Sequence, residues 1–274
     1  MTQAHAVTHL PQTQLQHFWR RIAPWVEGCL AFVYPHWCQI CQAESARPES
    51  GFICHSCRKG VASIAKPYCE RCGLPFPGEL VQPFECSNCQ DRELAFEWAR
   101  AAVIANEITL EVIHRYKYQR ALWFEPFLAD LLVQAAAPHL AHNQWDFLVP
   151  VPLHPVKLRE REFNQAERLA QRLSRATGIP VATHLVRRIE PTTTQTHLTR
   201  NERVLNVTQA FAPIPKTRLN GNRCIVIDDV LTTGATTNAV AKTLRTLGSG
   251  PVGVWSVARA VFHPPLISPR LKSA

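Results

Sequence analysis

The sequence lacks an apolar run long enough to span a membrane. Its best candidate, residues 22–34, falls short of the roughly 18 residues that a spanning helix needs, and it contains Pro24 and Glu27. Arg20 and Arg21 precede this stretch, but no small-residue cleavage site follows it, so an export signal is not indicated. We therefore expect a cytoplasmic protein without a transmembrane segment.

Cysteines are few outside one short region, where eight of the ten fall into four pairs with C-x-x-C spacing. The pairs are Cys38 with Cys41, Cys54 with Cys57, Cys69 with Cys72, and Cys86 with Cys89. Two sulfurs spaced in this way on a tight turn can face one ion, and two such turns complete a tetrahedral zinc site. Disulfides would need an oxidising compartment, and a redox motif would explain one pair but not four. The pattern therefore predicts two zinc ions. Pairing in chain order would give two stacked zinc ribbons, and interleaved pairing remains an open alternative.

A four-cysteine zinc site has no open coordination position, so we expect the metal to be structural rather than catalytic. Residues 35–92 contain few apolar side chains, Phe76 and Phe84 among them, and metal ligation is expected to replace a core. We predict a double zinc ribbon over this segment that presents a surface and performs no chemistry. The other two cysteines, Cys29 and Cys224, lie in apolar runs and are interpreted as small buried hydrophobic residues.

Acidic residues are outnumbered by basic ones, with 21 Asp and Glu against 30 Lys and Arg and a formal net charge of +9. Each four-thiolate zinc site would contribute +2 − 4 = −2, so two sites would bring the working charge to +9 − 4 = +5. This charge is compatible with phosphate ligands. It is also compatible, more weakly, with single-stranded nucleic acid that could stack on exposed ribbon aromatics. A solvated basic surface would explain the same numbers.

The rest of the 274-residue chain alternates between strand-like and helix-like segments. Residues 1–34 are predicted as a helical leader, because apolar residues recur there every three or four positions. From residue 93 onward, helical patterns such as FNQAERLAQRLSRATG separate the strand-like runs ARAAVIA, FLVPVPLH, RCIVIDD and PVGVWSVARA. This alternation predicts that residues 93–274 form an α/β domain with a mostly parallel sheet flanked by helices.

The strand-like run that begins at Cys224 leads into two adjacent acids, Asp228 and Asp229, and then into a loop of hydroxyls and one glycine. Ligands of open parallel sheets bind at the carboxyl ends of the strands, and we expect the two aspartates to end this strand. Backbone N–H groups of a loop that enters a helix favour a phosphate, and Gly234 allows positive φ there. Because the acids would repel a phosphate that they faced, we expect them to contact sugar hydroxyls or a metal instead. A phosphorylated sugar meets both needs.

The segment IVIDDVLTTGAT resembles the 5-phosphoribosyl-1-pyrophosphate (PRPP) motif of type I phosphoribosyltransferases. The resemblance implies that Asp228 and Asp229 contact the ribose hydroxyls and act in catalysis. It also implies that Mg²⁺ accompanies PRPP by bridging pyrophosphate and ribose oxygens. The implied 5-phosphate cradle consists of Thr232, Thr233, Gly234, Ala235 and Thr236. Displacement of pyrophosphate would pass through an oxocarbenium-like state, which carboxylates also stabilise in glycosidases.

Cysteine pairs ahead of such a motif make the chain similar to the ComF family, also called the GntX or competence protein F family. Three segments of this chain resemble segments of that family, and they are FVYPHWCQIC, RYKYQRA and VPVPLHPVKLREREFNQAERLA. Gln119 and Arg120 stand where the family usually has a nearby glycine, and Glu162 replaces the glycine of its Arg-Gly-Phe-Asn-Gln pattern. The charge of Glu162 is therefore expected to weaken pyrophosphate binding. The residues that the resemblance assigns to the pyrophosphate side are Lys157, Arg159, Arg161, Asn164 and Gln165.

Membership of this family would imply a phosphoribosyltransferase that binds PRPP and Mg²⁺ and is associated with DNA uptake. Its partners would include single-stranded DNA or a competence helicase. Arg188 opens a spaced family pattern that ends at Phe211, and the polar residues 190–207 would take the place of a mobile hood over PRPP. Two alternatives stay open: a non-catalytic phosphosugar-binding accessory, and a zinc-ribbon module that binds single-stranded DNA during import.

Overall fold

The computed structural model describes residues 36–76, 78, 86, 88–90, 92–142, 144–190 and 210–261. The predicted leader, Cys29, Phe84 and most of the predicted hood lie outside these residues. Within the described ranges, no helix is both long enough and apolar enough to cross a bilayer.

The strands of the described residues form one parallel sheet and one small antiparallel pair. In chain order they are β1 (Trp98–Ile104), β2 (Phe147–Pro150), β3 (Val186–Arg188), β4 (Phe211–Pro213), β5 (Cys224–Leu231) and β6 (Val252–Arg259). The main sheet has the order β1-β6-β5-β2 with every neighbouring pair parallel, whereas β3 and β4 pair with each other in antiparallel fashion. The predicted α/β sheet is therefore confirmed.

Helices cover both faces of the main sheet, as the strand–helix alternation predicted. They are α1 (His55–Lys59), α2 (Glu107–Tyr118), α3 (Glu125–Ala141), α4 (Pro155–Arg161), α5 (Gln165–Thr177) and α6 (Ala235–Thr246). On one face, Leu132 of α3 and Leu173 of α5 share a buried cluster with Ile227 of β5. On the other face, Leu244 of α6 packs with Val226. Alternate residues of β5 thus point into two cores.

The prediction that the two aspartates end their strand is wrong, because β5 continues past them to Leu231. Its neighbour β6 extends equally far, and Leu231 pairs with Arg259. The neighbour on the other side, β2, stops at Pro150 opposite Ile227. Asp228 and Asp229 therefore have a strand beside them on one side only, and the loop that follows β2 lies on the other.

The first ribbon shares the core of the α/β sheet. Cys38, Ile53 and Cys57 belong to the same buried cluster as Phe127 of α3. Their apolar partners come from the sheet's own helices, so the ribbon does not depend on metal alone for burial.

The second ribbon lies directly on the edge strand β1. The N–H of Ala99 donates to the carbonyl oxygen of Arg71 at 2.7 Å. Gly73 has a φ of 66°, and a Cβ added to it would come within 2.5 Å of the Ala99 oxygen. Only glycine permits this close approach of ribbon and sheet.

Candidate functional site

The eight paired cysteines form two four-sulfur clusters. Within each cluster, all sulfurs lie within 4.8 Å of one another, and the members are Cys38, Cys41, Cys54 and Cys57 in the first cluster and Cys69, Cys72, Cys86 and Cys89 in the second. Sulfur–sulfur separations of 3.6 and 3.8 Å occur in each cluster. They match the edge of about 3.8 Å of a tetrahedron built with Zn–S bonds of about 2.3 Å. Pairing in chain order is confirmed, and the interleaved alternative is wrong.

Backbone N–H groups point at the sulfurs that would bind metal. In the first cluster, the N–H of Cys54 donates to Cys38 Sγ at 3.3 Å, and the N–H of Cys57 donates to Cys54 Sγ at 3.4 Å. In the second cluster, the N–H of Cys72 donates to Cys69 Sγ at 3.5 Å. Such bonds favour the thiolate over the thiol, so both clusters fit structural Zn²⁺.

Asp228 and Asp229 form a buried acidic pair in the part of β5 that extends past the end of β2. The N–H of Asp229 donates to Asp228 Oδ1 at 2.9 Å, and the N–H of Val230 donates to Asp229 Oδ1 at 2.9 Å. The ammonium group of Lys117, from the last turn of α2, forms an ion pair with the Asp229 carboxylate. The two carboxyl groups are thereby held by the backbone and by one lysine.

The proton affinities in this cluster are strongly unequal. Burial and the adjacent Asp229 carboxylate raise the pKa of Asp228 well above its ordinary value. Burial also opposes ionisation of Asp229, but the Lys117 ammonium outweighs it and lowers the pKa of that carboxyl. Burial works against the charge of Lys117, yet the two aspartates raise its pKa. Among the described residues, Lys117 is the one cation that forms an ion pair with these two carboxyl groups.

In the fold, Lys117 forms an ion pair with Asp229 and the charge of Asp228 acts on Arg188, although the sequence did not assign either cation to the site. Arg188 lies in β3 with its guanidinium 5.2 Å from the centre of the Phe211 ring. Burial lowers the pKa of Arg188, the charge of Arg161 lowers it further, and the charge of Asp228 opposes both. These residues therefore share one electrostatic environment. For Lys117 the available signal was the RYKYQRA segment, and for Arg188 it was only the spaced family pattern.

The loop of residues 231–236, here called the phosphate loop, enters α6 at Gly234, whose φ is 80°. The Thr233 hydroxyl accepts from the N–H of Ala235 at 3.3 Å, and Ala235 and Thr236 begin the helix. In the described part of the chain, the N–H groups of Thr232, Thr233 and Gly234 meet no acceptor. Unpaired N–H groups at the positive end of a helix dipole suit an anion.

The residues assigned to the pyrophosphate side lie on α4 and at the start of α5, and their side chains have different partners. Arg161 lies over the Tyr118 ring at 4.8 Å and donates to Gln165 Oε1 at 3.0 Å. Lys157 instead pairs with Glu160 at 2.7 Å, and Arg159 is exposed. Of the three cations, Arg161 is thus the one whose charge acts on Lys117 and Arg188, the cations beside the acidic pair.

Asn164 and Gln165 position the backbone at this side. Asn164 caps α5, since its side-chain oxygen accepts from the N–H of Ala166 at 3.1 Å, and its amide donates to the carbonyl oxygen of Val151 at 3.1 Å. Gln165 is buried and receives the Arg161 bond. Asn164 thus ties the start of α5 to the loop that follows β2, and Gln165 ties it to the end of α4.

Glu162 replaces a glycine in a position that suits glycine, because its φ is 69°. Its carboxylate forms an ion pair of 2.8 Å with Arg120, which also has a positive φ of 53°. Arg120 additionally donates to the carbonyl oxygen of Glu160 at 3.0 Å. The acid that was expected to weaken pyrophosphate binding is therefore accompanied by a cation from the end of α2.

Comparison with known proteins identifies the zinc-ribbon segment and relatives that cover most of the chain. Residues 29–92 match the family model of the double zinc ribbon domain. The chain is 34% identical over 230 residues to competence protein F of Haemophilus influenzae, covering 81% of this chain and 96% of that protein. It is 29% identical over 236 residues to DNA utilization protein YhgH of Salmonella typhi, covering 83% of this chain and 98% of that protein.

Among solved structures, a purine phosphoribosyltransferase from Pyrococcus horikoshii is similar over 52% of this chain and 94% of that chain. The sequence identity is 18% and the TM-score is 0.31, a likeness that carries no argument by itself.

Proposed function

Because the chain belongs to the competence protein F family, we propose that it binds PRPP with Mg²⁺ and transfers the phosphoribosyl group in a process associated with DNA uptake. The observation that carries this proposal is the buried pair of Asp228 and Asp229. The pair is followed by a loop whose N–H groups meet no acceptor among the described residues, and Lys117 and Arg188 interact with the pair by charge. This arrangement is complementary to a phosphorylated sugar with a second phosphate group.

Each part of PRPP has a matching group in this site. The 5-phosphate would lie at the phosphate loop, where N–H groups and the α6 dipole favour an anion. The ribose hydroxyls would donate to Asp228 and Asp229. The pyrophosphate would face Arg161 and Arg188, whose charges already act on each other. Charge-assisted hydrogen bonds of this kind are about twice as strong as neutral ones.

The donor set also fits Mg²⁺. Carboxylate oxygens and water are the ligands that this ion prefers. Burial and the adjacent Asp229 charge raise the pKa of Asp228, and a bound cation would offset both effects. When bound, the ion would neutralise charge on the pyrophosphate.

In the transfer, the bond between ribose C1 and the pyrophosphate oxygen breaks, and pyrophosphate leaves with the electron pair. An acceptor donates its lone pair to C1 to form the new bond. Positive charge develops on the ribose in the transition state, and the aspartate carboxylates lie on that side of the ligand. Arg161 and Arg188 would hold the negative charge of the departing pyrophosphate without reorganisation.

Calorimetric titration with Mg²⁺ and PRPP tests binding, and pyrophosphate release with a panel of bases tests transfer. We expect a Kd in the range of about 1 μM to 1 mM that is usual for enzyme substrates. Ribose 5-phosphate should bind at least about tenfold more weakly, because it lacks the pyrophosphate contacts. Binding without release for any base would favour the accessory alternative, and absence of PRPP binding at millimolar concentration would overturn the proposal.

PRPP binding is expected to strengthen as the pH rises through the raised pKa of Asp228. A protonated carboxyl accepts hydrogen bonds poorly, so binding below that pKa should release a proton. The same pKa shift affects folding with the opposite sign. The contribution of Asp228 to the free energy of unfolding is largest below the unfolded pKa of about 3.9, and it declines as pH rises toward the higher folded pKa. Calorimetry in two buffers with different ionisation enthalpies counts the released protons.

The control for this measurement is Asp228→Asn, which should release only the protons that come from the PRPP phosphates themselves. Equal proton release by the parent protein and the variant would contradict the role of Asp228.

We also place the protein in the cytoplasm, because eight cysteines held as thiolates in two clusters require reducing conditions. There it would meet imported single-stranded DNA directly or beside a competence helicase. Exposed aromatics support direct contact: Trp37 of the first ribbon is 48% exposed and Trp123 is 44% exposed. Phe76, which the sequence offered for stacking, packs against the second cysteine cluster instead.

Single-stranded DNA is therefore expected to bind weakly and to lose affinity steeply with added salt, because phosphate contacts release counterions. Trp37→Ala should lower the affinity by about five- to a hundredfold at every salt concentration, since stacking contributes roughly 1–3 kcal/mol per base. Fluorescence titration of labelled DNA at low and moderate salt measures both effects. Leu110→Ala, at a similarly exposed apolar side chain, is the control. If no DNA binds at low salt, uptake would have to depend on a protein partner.

A further inference from the structure

We propose that the second zinc site orients the phosphate loop. The zinc-bound Cys72 thiolate would act as the counter-ion of buried Arg259, and Arg259 would hold the loop carbonyls. The ligand named in this inference rests on the proposed function, but the contact between metal site and loop does not.

Arg259, at the end of β6, is only 1% exposed. Its Nη1 donates to the carbonyl oxygen of Leu231 at 2.9 Å, to that of Thr232, and to that of Ala260 at 3.3 Å. Its Nη2 donates to Cys72 Sγ at 3.8 Å. One guanidinium therefore joins the start of the phosphate loop to a ligand of the second cluster.

The charge of this guanidinium needs compensation. Among the described residues, no carboxylate lies within 4.0 Å of Arg259, so none of the ion pairs of this part of the chain involves it. Carbonyl oxygens solvate a buried cation but do not neutralise it, and a buried unpaired charge is strongly unfavourable. A zinc ion with four thiolates carries a net charge of +2 − 4 = −2. Since Cys72 belongs to that cluster, it supplies the missing negative charge.

The carbonyl contacts determine where the loop's N–H groups point. In a planar trans peptide, the C=O of one residue and the N–H of the next point in opposite directions. Because the carbonyls of Leu231 and Thr232 face Arg259, the N–H groups of Thr232 and Thr233 face away from it. These are N–H groups without an acceptor in the described part of the chain, and they form the proposed phosphate cradle.

The chain that leaves the second cluster also holds the loop from its other end. Arg92 Nη1 donates to the carbonyl oxygen of Thr233 at 3.0 Å. The Asn238 side chain of α6 accepts from the N–H of Ala95 at 2.7 Å and donates to the carbonyl oxygen of Glu93 at 3.0 Å. The phosphate loop is thus attached to the second ribbon at two places.

The first cluster offers a built-in comparison. Beside it, Arg58 pairs with Asp130 at 3.4 Å, and Arg115 donates to the carbonyl oxygen of Gln39 at 2.7 Å. These contacts reach α2 and α3 rather than the phosphate loop. Loss of metal from the two clusters should therefore have different effects on the loop.

Arg259→Met tests the coupling, because it removes the charge and keeps an unbranched side chain. We expect a chelator to extract one of the two zinc ions at least tenfold faster than in the parent. Amide hydrogen exchange of residues 231–236 should rise by at least tenfold, and PRPP affinity should fall by about ten- to a hundredfold. Arg58→Met, which removes an arginine beside the first cluster, should change none of these quantities.

Coupling between two binding sites is reciprocal, so saturating PRPP should raise the equilibrium zinc affinity of the parent's second cluster by the factor by which that zinc raises PRPP affinity. If the parent does not bind PRPP, the proposed function fails, while zinc extraction and amide exchange still decide the coupling. If zinc extraction and amide exchange in Arg259→Met equal those of the parent, the proposed coupling is overturned.

A second pair of variants serves if Arg259→Met does not fold. Cys69→Ala removes a ligand of the second cluster that forms no hydrogen bond with Arg259, and Cys41→Ala removes a ligand of the first. Exchange of residues 231–236 should rise at least tenfold only in Cys69→Ala. An equal rise in both variants, or none in either, would overturn the coupling.

Discussion

The purified protein is expected to contain two zinc ions per chain, and Cys57→Ala is expected to contain one and to lose the structure of its first ribbon. Structural zinc contributes an apparent binding free energy of roughly 10–16 kcal/mol, which is comparable to the whole stability of a domain. Cys57 is also buried in the same cluster as Phe127, so loss of the ribbon should expose that core and lower the Tm. Metal analysis and thermal unfolding measure the two effects.

Cys224→Ala is the matched control, because Cys224 is a buried cysteine of β5 outside both clusters. Burial raises the pKa of its thiol to about 12, which is the behaviour of an inert hydrophobic residue. This variant should retain both zinc ions. Fewer than one zinc per chain in the parent protein, with its cysteines intact, would contradict the ribbon interpretation.

Lys117→Met is expected to destabilise the protein by about 3–5 kcal/mol and to abolish measurable PRPP binding. Removing one partner of a buried ion pair leaves the other charge uncompensated, and here the uncompensated charge is Asp229 in a site that already contains Asp228. The contribution of Asp229 is present above its unfolded pKa of about 3.9 and is lost as pH falls through its lower folded pKa. Denaturant unfolding between pH 2 and pH 7 should show this loss in the parent and not in the variant.

Asp229→Asn separates stability from ligand binding. The double variant Lys117→Met with Asp229→Asn should recover most of the lost stability, because no charge is left unpaired. Asp229→Asn alone should weaken PRPP binding by about ten- to a hundredfold, since hydrogen bonds to charged groups contribute roughly 1.5–3 kcal/mol. Equal PRPP affinity in this variant and the parent would refute the contact between Asp229 and the ribose.

Much of the fold could be predicted because its signals are local. The alternation of apolar strands and amphipathic helices indicated a parallel sheet with two covered faces, which Leu173 and Leu244 confirm on opposite sides. The end of β5 could not be predicted in this way. A strand continues as long as a neighbour offers hydrogen bonds, and β6 continues to Arg259 while β2 stops at Pro150.

By itself, the sequence determined the two cysteine clusters and the strand–turn–helix unit that carries the proposed phosphate loop. A C-x-x-C turn brings two sulfurs to one ion, and the run from Asp228 to Thr236 has its chemistry within one strand–turn–helix unit. Only the tertiary structure decided which charges complete the site. Lys117, Arg188 and Arg259 lie on α2, β3 and β6, far from the loop in the chain. Periodicity within a segment carries no information about partners on other segments. Pairing of β5 with β6 places Arg259 behind the loop, and packing in the fold brings Lys117 to Asp229.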